Sequence, residues 1–238
     1  MKLSLCIPMY NESSIIADTA RTLSAYMSEH FDEYEILFSD DGSTDGSADV
    51  VNSLGLPCVR VVRYEKNKGK GAAVREAVLA AMGDVVMFTD ADLAYGTEVI
   101  SRVAKVFEES PKTDVVIGSR NKGKDGYEGY TLLRKVASKT YIRVLCLVGG
   151  FWLSDSQCGC KAFRGEIGKR IFSKCEVNGF AFDFEVIMIA LRLGANIFEL
   201  PVKIINHRDS KVHVWKDAFK MLKDLRRIKK RVKKQELD

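Results

Sequence analysis

The chain has 238 residues, 46% of them hydrophobic and 29% charged, which suits one large soluble globular domain with a sizeable core. Its net charge of +5 is uneven: residues 215–238 carry ten Lys/Arg against four Asp/Glu, and the rest of the chain has a net charge of −1. A membrane-spanning chain and a secretory leader are both excluded as expectations, because the longest apolar stretch (142–153) holds Arg143 and two glycines, and Lys2 runs straight into strand-like residues.

In chain order, Leu3 to Pro8 reads as a first strand, followed by the polar turn Met9-Tyr10-Asn11-Glu12-Ser13 and a helix over 14–29 with apolar residues at 15, 16, 20, 23 and 27. A second strand over 35–38 runs into Ser39-Asp40-Asp41-Gly42-Ser43-Thr44-Asp45-Gly46, and a helix follows over 47–54. A third strand spans 58–63. The glycine-rich Lys68-Gly69-Lys70-Gly71 then leads into a helix over 72–82; it is not a Walker A loop, because Lys70 is followed by Gly71 and not by Ser or Thr. Val85 to Phe88 form a fully apolar strand that ends in Thr89-Asp90-Ala91-Asp92. A helix reaches about residue 109, and a strand over 114–118 ends in Ser119-Arg120. The β-α-β-α-β-α-β order predicts an α/β, doubly wound, mainly parallel sheet, whose strand ends share one edge and converge on one cleft.

The helix over 130–148 carries an apolar stripe at 133, 137, 141, 144, 145 and 148 beside Arg134, Lys135, Lys139 and Arg143. That pattern fits either a helix resting on a membrane or one packed on its own domain. Next come the polar loop Asp155-Ser156-Gln157-Cys158-Gly159, a strand over 161–164 and a helix from 182 to 193. Asp183, in Phe182-Asp183-Phe184-Glu185, is either the acid of that helix start or a site residue. The spacing Cys158-Gly159-Cys160 is too tight for zinc, and the six cysteines without a C-x-x-C pair read as reduced thiols of a cytosolic protein. A last strand over 196–205 is interrupted by Pro201 and so is expected at an edge. It leads to His207-Arg208-Asp209-Ser210-Lys211, a cationic loop able to close over a phosphate. From Trp215 onward, apolar residues at 215, 218, 219, 222, 225, 228 and 232 face away from a basic side, the pattern of a helix lying on anionic lipid. A solvated helix and a nucleic-acid patch are weighed against that reading; the apolar face favours lipid, and no nucleic acid is expected.

Two carboxylates one residue apart at a strand end repel each other unless a cation or a proton intervenes. Asp90 and Asp92 therefore suit Mg²⁺ or Mn²⁺, which takes one or two protein carboxylates and fills its shell with substrate phosphates.

Pro8-x-Tyr10-Asn11-Glu12, Asp40-Asp41-Gly42-Ser43-x-Asp45, Gly69-Lys70-Gly71-Ala72, Asp90-Ala91-Asp92 and Gly118-Ser119-Arg120, in this order, resemble the inverting family-two glycosyltransferases. Within them the chain is similar to the polyprenyl-phosphate sugar synthases, closer to the branch that transfers glucose to dolichyl phosphate than to the branch that transfers mannose. The closer likeness rests on residues 155–161, 182–185, 199–202 and 210–211. This resemblance implies a GT-A-type fold and a nucleotide-sugar donor. It places Pro8, Tyr10, Glu12, Ser39 and Asp41 at the base and ribose, and Asp90, Ala91 and Asp92 at the metal and diphosphate. Lys70 joins the donor contacts, and Arg120, Arg208 and Lys211 surround the diphosphate and acceptor phosphate. Relatives in the mannose branch carry a Gln ligand where this chain has Ala94, so the metal shell is completed by water, by another residue or not at all.

The reading is a catalytic domain over 1–212, whose helix over about 130–148 faces the acceptor and the membrane, with a basic amphipathic helix over 213–238 holding it to the cytoplasmic face of a membrane. The expected reaction moves a hexose, foremost glucose from UDP-glucose, onto a polyprenyl phosphate with inversion. A lipid monophosphate is largely ionised at neutral pH and needs no general base, so Asp92, Arg120 and Arg134 are expected to carry catalysis. A hydroxyl acceptor would instead need a base, for which Asp155 is the first candidate. GDP-mannose as donor, a polysaccharide or glycolipid acceptor, and a binding module without activity are the competing readings.

Overall fold

The computed structural model describes residues 1–123, 125–206 and 214–236, and for Leu133, Arg134 and residues 214–223 it describes the backbone alone. The seven strands are Leu3–Met9 (β1), Tyr34–Asp40 (β2), Val59–Arg63 (β3), Val85–Phe88 (β4), Val115–Ser119 (β5), Lys161–Arg164 (β6) and Ile197–Pro201 (β7). They form one sheet in the order β3-β2-β1-β4-β6-β5-β7. Every pairing is parallel except those of β6, which runs antiparallel to both β4 and β5.

The helices are Ser13–His30 (α1), Ser47–Ser53 (α2), Lys70–Ala80 (α3), Glu98–Glu109 (α4), Leu132–Gly149 (α5), Gly165–Ser173 (α6), Phe182–Arg192 (α7) and Val214–Lys234 (α8). Strand alternation sends neighbouring side chains to opposite faces of the sheet. Leu3, Leu5 and Ile7 join one core with Ile16, Leu23 and Met27 of α1 and Val99, Ile100 and Val103 of α4. Cys6, Val86 and Phe88 join the other, with Val74 and Val78 of α3, Ile171 and Phe172 of α6, and most of α7. Strands buried on both faces read as unbroken apolar runs, which is why β1, β2 and β4 are plain in the sequence.

Three elements differ from expectation. The helix α6 directly follows β6 and is short, and its start at Gly165 carries no sequence signal for a helix. The last strand is shorter than expected and ends at Pro201, although it does lie at the sheet edge. The tail helix differs most. Leu225, Ile228 and Val232 are all but fully buried within the core that α7 also builds. Arg231 of α8 pairs with the buried Glu185 of α7 and reaches Glu176 at 2.5 Å, while Lys229 donates to the Val148 carbonyl at 2.5 Å. The apolar face expected on lipid is therefore, at these three positions, inside the protein. The side chains at 215, 218, 219 and 222 lie outside the described residues. Among the described residues, no helix is long and apolar enough to cross a membrane.

Candidate active site

The sheet order reverses between β1 and β4, so the carboxyl ends of these neighbours open a crevice of the kind that binds ligands in open α/β sheets. The turn after β1 is laced to the turn after β2. The Asn11 amide donates to Ser43 Oγ at 2.9 Å, the Thr44 amide to Asn11 Oδ1 at 2.9 Å, and the Glu12 amide to Ser47 Oγ at 2.9 Å. Asn11 adopts φ +52°, a left-handed conformation that Asn tolerates better than most residues. Although burial opposes the charge, bonds from Ser47 and from the Ser13 amide hold the Asp45 carboxyl well below the usual range. Tyr10 stands 43% exposed beside this frame. Pro8 is paired in register with Ser39, whose buried hydroxyl has no hydrogen-bond partner among the described residues.

Asp41, expected on the nucleotide base, anchors the neighbouring loop in this structure. Its carboxylate accepts from the Tyr64 hydroxyl at 2.5 Å, Asn67 Nδ2 at 2.9 Å, and the amides of Lys68 and Gly69 at 2.8 Å each. Both oxygens are thus spent on folding residues 64–69 into a wall of the crevice. Gly69 turns that loop into α3 at φ +111°, and a Cβ there would lie 2.6 Å from the Asn178 carbonyl. The turn sets Lys70 at the start of α3, from which its ammonium reaches Asp90 Oδ1 at 2.5 Å.

Asp90 and Asp92 lie in the turn that leaves β4. The Leu93 amide bonds to the Asp90 carbonyl, and Asp92 Oδ1 accepts from the Ala94 amide at 3.1 Å. Ala91 between them is buried, and its carbonyl takes the Thr19 hydroxyl. A Cβ on Gly159 would fall 2.1 Å from Asp90 Oδ2, so only glycine leaves that carboxylate its place. The tight Cys158-Gly159-Cys160 spacing serves this close approach. Asn206 Nδ2 donates to the Leu93 carbonyl at 2.9 Å, which sets Asn206 beside the Asp92 turn. Among the described residues no three His, Cys, Asp or Glu gather around one point. Two carboxylates at a strand end, one lodged in a glycine cradle, still fit an oxygen-seeking divalent ion that takes its remaining ligands from phosphates and water.

Arg120 follows β5 and is held by Asp155. Its Nε donates to Asp155 Oδ2 at 2.6 Å, its Nη2 to Oδ1 at 2.9 Å, and its amide to Oδ2 at 3.1 Å. Asp155 has no exposed surface. A buried carboxylate bound twice by one guanidinium has no face to offer a hydroxyl, so the candidate base acts as the brace that orients Arg120. That pairing outweighs the burial that opposes it and keeps the Arg120 cation held above its ordinary range. The loop is fixed on its other side, where Ser154 donates from its amide to Glu199 at 2.6 Å and shares a bond with the Ser119 hydroxyl at 2.6 Å.

One pair was legible only in part. Lys161, the first residue of β6, is fully buried, donates to the Cys158 carbonyl at 2.7 Å and meets Asp183 at 2.5 Å. Burial pushes the Asp183 carboxyl up, against the pull of Lys161 and of the nearby Lys70. Because β6 is antiparallel, Lys161 stands opposite both Phe88 and Ile117, at the same edge as the Asp90 turn and Arg120. A charged residue placed directly before the buried pair Ala162-Phe163 was the available signal. The fold thus gathers Lys70, Asp90, Arg120, Asp155, Lys161 and Asp183 at one edge, with Glu12 half-buried on the turn after β1. The side chain of Arg134, and Arg208 and Lys211 entirely, lie outside the described residues.

The chain is similar to known proteins along most of its length. The model of glycosyl transferase family 2 matches residues 4–172. A dolichyl-phosphate beta-glucosyltransferase of Dictyostelium discoideum is 30% identical over 243 residues, spanning 95% of this chain and 73% of that one. A Saccharomyces cerevisiae protein of the same description is 29% identical, spanning 94% and 72%. Among solved structures, mannosyl-3-phosphoglycerate synthase from Rubrobacter xylanophilus superposes with a TM-score of 0.69 at 21% identity, covering 100% of this chain and 77% of that one. Glucosyl-3-phosphoglycerate synthase from Mycobacterium tuberculosis, solved with Mn²⁺, UDP-glucose and phosphoglyceric acid, gives 0.69 at 20% identity, covering 94% and 79%. At such identities the structural likeness establishes the fold, the GT-A-type doubly wound sheet.

Proposed function

Given that the chain belongs to glycosyl transferase family 2 and is a glycosyltransferase, we propose that it moves glucose from UDP-glucose onto a polyprenyl phosphate, with inversion, at the cytoplasmic face of a membrane. The observation that carries this reading is the pairing, at one sheet edge, of the Asp90-Ala91-Asp92 turn with a guanidinium already oriented by a buried brace. The named relatives that span most of the chain support the lipid phosphate as acceptor. The solved neighbours with uridine nucleotides and Mn²⁺ or Mg²⁺ support the donor class and the ion.

Asp90 and Asp92 would hold Mg²⁺ or Mn²⁺, which when bound supplies positive charge to the donor diphosphate. The chain's own residues do the rest. Tyr10, Pro8 and Ser39 line the base end, framed by the loop that Asp41 folds. Glu12, half-buried on the turn after β1, is assigned to the ribose. Arg120, fixed by Asp155, meets the charge that develops on the leaving diphosphate, and it needs no reorganisation to do so. Lys70 moves from Asp90 to a donor phosphate. An acceptor phosphate oxygen attacks the anomeric carbon opposite the departing diphosphate: one C–O bond forms as the other breaks, and the configuration inverts. An ionised phosphate brings no proton to remove, which agrees with the absence of an accessible base at Asp155. Arg134, Arg208 and Lys211 are assigned to the acceptor phosphate and the diphosphate.

The test is transfer of radiolabelled sugar from a panel of nucleotide sugars into a chloroform-extractable product, with a short polyprenyl phosphate and Mg²⁺ or Mn²⁺. Organic label from UDP-glucose, lost on chelation, is the expected result. Label from GDP-mannose would move the substrate and keep the chemistry. No organic label from any donor that binds would overturn the lipid acceptor.

A further inference from the structure

We propose that the outward face of α5, together with Trp152 just beyond its end, is the surface on which the protein rests on an anionic bilayer. This deepens, and depends on, the reading of a lipid phosphate acceptor. Leu132, Val136, Leu147 and Trp152 are 78%, 54%, 67% and 81% exposed. At 3.6 residues per turn, Leu132, Val136, Lys139, Arg143 and Leu147 fall within about 80° of arc, on one stripe of the helix. Lys139 and Arg143 are exposed as well, so two cations lie between Val136 and Leu147 on an otherwise apolar stripe. Meanwhile Ile142, Leu145 and Cys146 of the same helix are buried in the core. The stripe is therefore a second apolar face, not the one that packs the domain.

Charge selects the occupant. Residues 129–154 contain four Lys/Arg and no Asp or Glu. A two-fold dimer through this face would set those cations against their own copies, because such an interface is self-complementary. A nucleic acid would use the cations and leave Leu147 and Trp152 in water. An anionic bilayer satisfies both: aliphatic side chains enter the acyl boundary, Trp settles at the headgroup level, and Lys and Arg meet lipid phosphates. The described half of α8 cannot serve the same way, since Leu225, Ile228 and Val232 are buried.

The placement also links docking to the site. Two residues after Trp152, Ser154 bonds to Ser119 and Glu199, and Asp155 then grips Arg120. The segment that meets lipid thus continues directly into the loop that orients the guanidinium, so a docked protein presents this edge of its sheet to the bilayer.

The experiment uses the full chain with Trp215→Phe, so that Trp152 alone reports. With vesicles of phosphatidylcholine and phosphatidylglycerol, its emission should shift to the blue and be quenched by brominated acyl chains. Vesicles of phosphatidylcholine alone should give weaker binding. Val136→Glu/Leu147→Glu should weaken partition at least tenfold while UDP binding stays unchanged. Neutralising Arg226, Arg227, Lys230 and Lys233 on α8 to Gln should have little effect. Loss of partition in the α8 variant but not in the α5 variant would overturn the proposal. So would a dimer in solution that Leu147→Glu dissolves. Transfer to a short water-soluble polyprenyl phosphate separates the two readings. If transfer occurs but Trp152 never meets lipid, the surface is wrong and the acceptor stands; if Trp152 meets lipid but no phosphate is glycosylated, the acceptor is wrong and the surface stands.

Discussion

The ammonium of Lys70 lies 2.5 Å from Asp90 Oδ1, where a divalent ion bound by the Asp90-Ala91-Asp92 turn would draw on the same oxygen. The charges of Asp90, Asp183 and Asp92 outweigh the burial that opposes them and keep Lys70 firmly protonated. Lys70 and the ion therefore compete for one carboxylate until a donor phosphate offers the lysine another partner. Lys70→Met should tighten Mn²⁺ binding several-fold in the absence of donor, read by electron paramagnetic resonance, and weaken UDP binding measured by calorimetry. Unchanged Mn²⁺ affinity would show that the two do not compete.

Asp92→Ala should abolish metal-dependent transfer, by at least about a hundredfold, with an unchanged circular dichroism spectrum and melting temperature near that of the parent. Asp92 sits half-buried in a surface turn, so its removal should not disturb the core. Retained metal-dependent activity would move the ion to other residues.

Asp155→Asn tests brace against base. Loss of one partner from a buried ion pair costs about 3–5 kcal/mol, so the variant should melt well below the parent. Its residual transfer should show the parent's pH profile, because no proton passes through Asp155. A flattened profile at unchanged stability would restore the base. Arg120→Lys should fare almost as badly, since an ammonium cannot replace the two-pronged contact.

A linked pair holds α8. Arg231→Met leaves Glu185 buried without its cation and should cost about 3–5 kcal/mol. Adding Glu185→Gln should recover part of that loss, because the stranded charge is removed. Denaturant melts of the two variants give the comparison, and equal stabilities would show that the pair is immaterial.

The bonds around Asp45 carry a pH signature. Its folded pKa lies below the ordinary value of 3.8, so its ionised form stabilises the fold above that pH, and the gain fades as pH falls toward the folded value. The stability gap between the parent and Asp45→Asn should therefore be constant above about pH 5 and close progressively in acid. A gap that persists unchanged in acid would mean that the charge of Asp45 contributes nothing.

The sheet and the polar strand ends were legible in the sequence for physical reasons. Strands such as Val85–Phe88 are apolar on both faces, and Asp, Gly and Asn crowd the turns where they stop. What was not legible depends on partners distant in the chain. Asp155 looks like any loop carboxylate until Arg120, 35 residues earlier, is seen to bind it. Nor does the sequence show that Tyr64 and Asn67 bind the oxygens of Asp41. In α8, helical periodicity reports that one face is covered and leaves open whether lipid or α7 covers it. The same ambiguity in α5 hid two apolar faces within one helix, which periodicity alone does not separate.

The antiparallel strand β6 has a consequence for biosynthesis. As β5 and β7 reach the rest of the sheet through β6 alone, the chain emerging from a ribosome completes β1 to β4 and then β5 well before the strand that joins them exists. During that interval β4 and β5 present open edges, and α5, with its apolar residues on both sides, emerges into the gap. Arrival of the four residues Lys161–Arg164 closes the facing edges of β4 and β5 at once, leaving the far edge of β5 to β7, and carries Lys161 to the place where Asp183 will later meet it. A nascent chain halted before residue 161 should therefore be held by chaperones, and one that has also completed β7 and α8 should not.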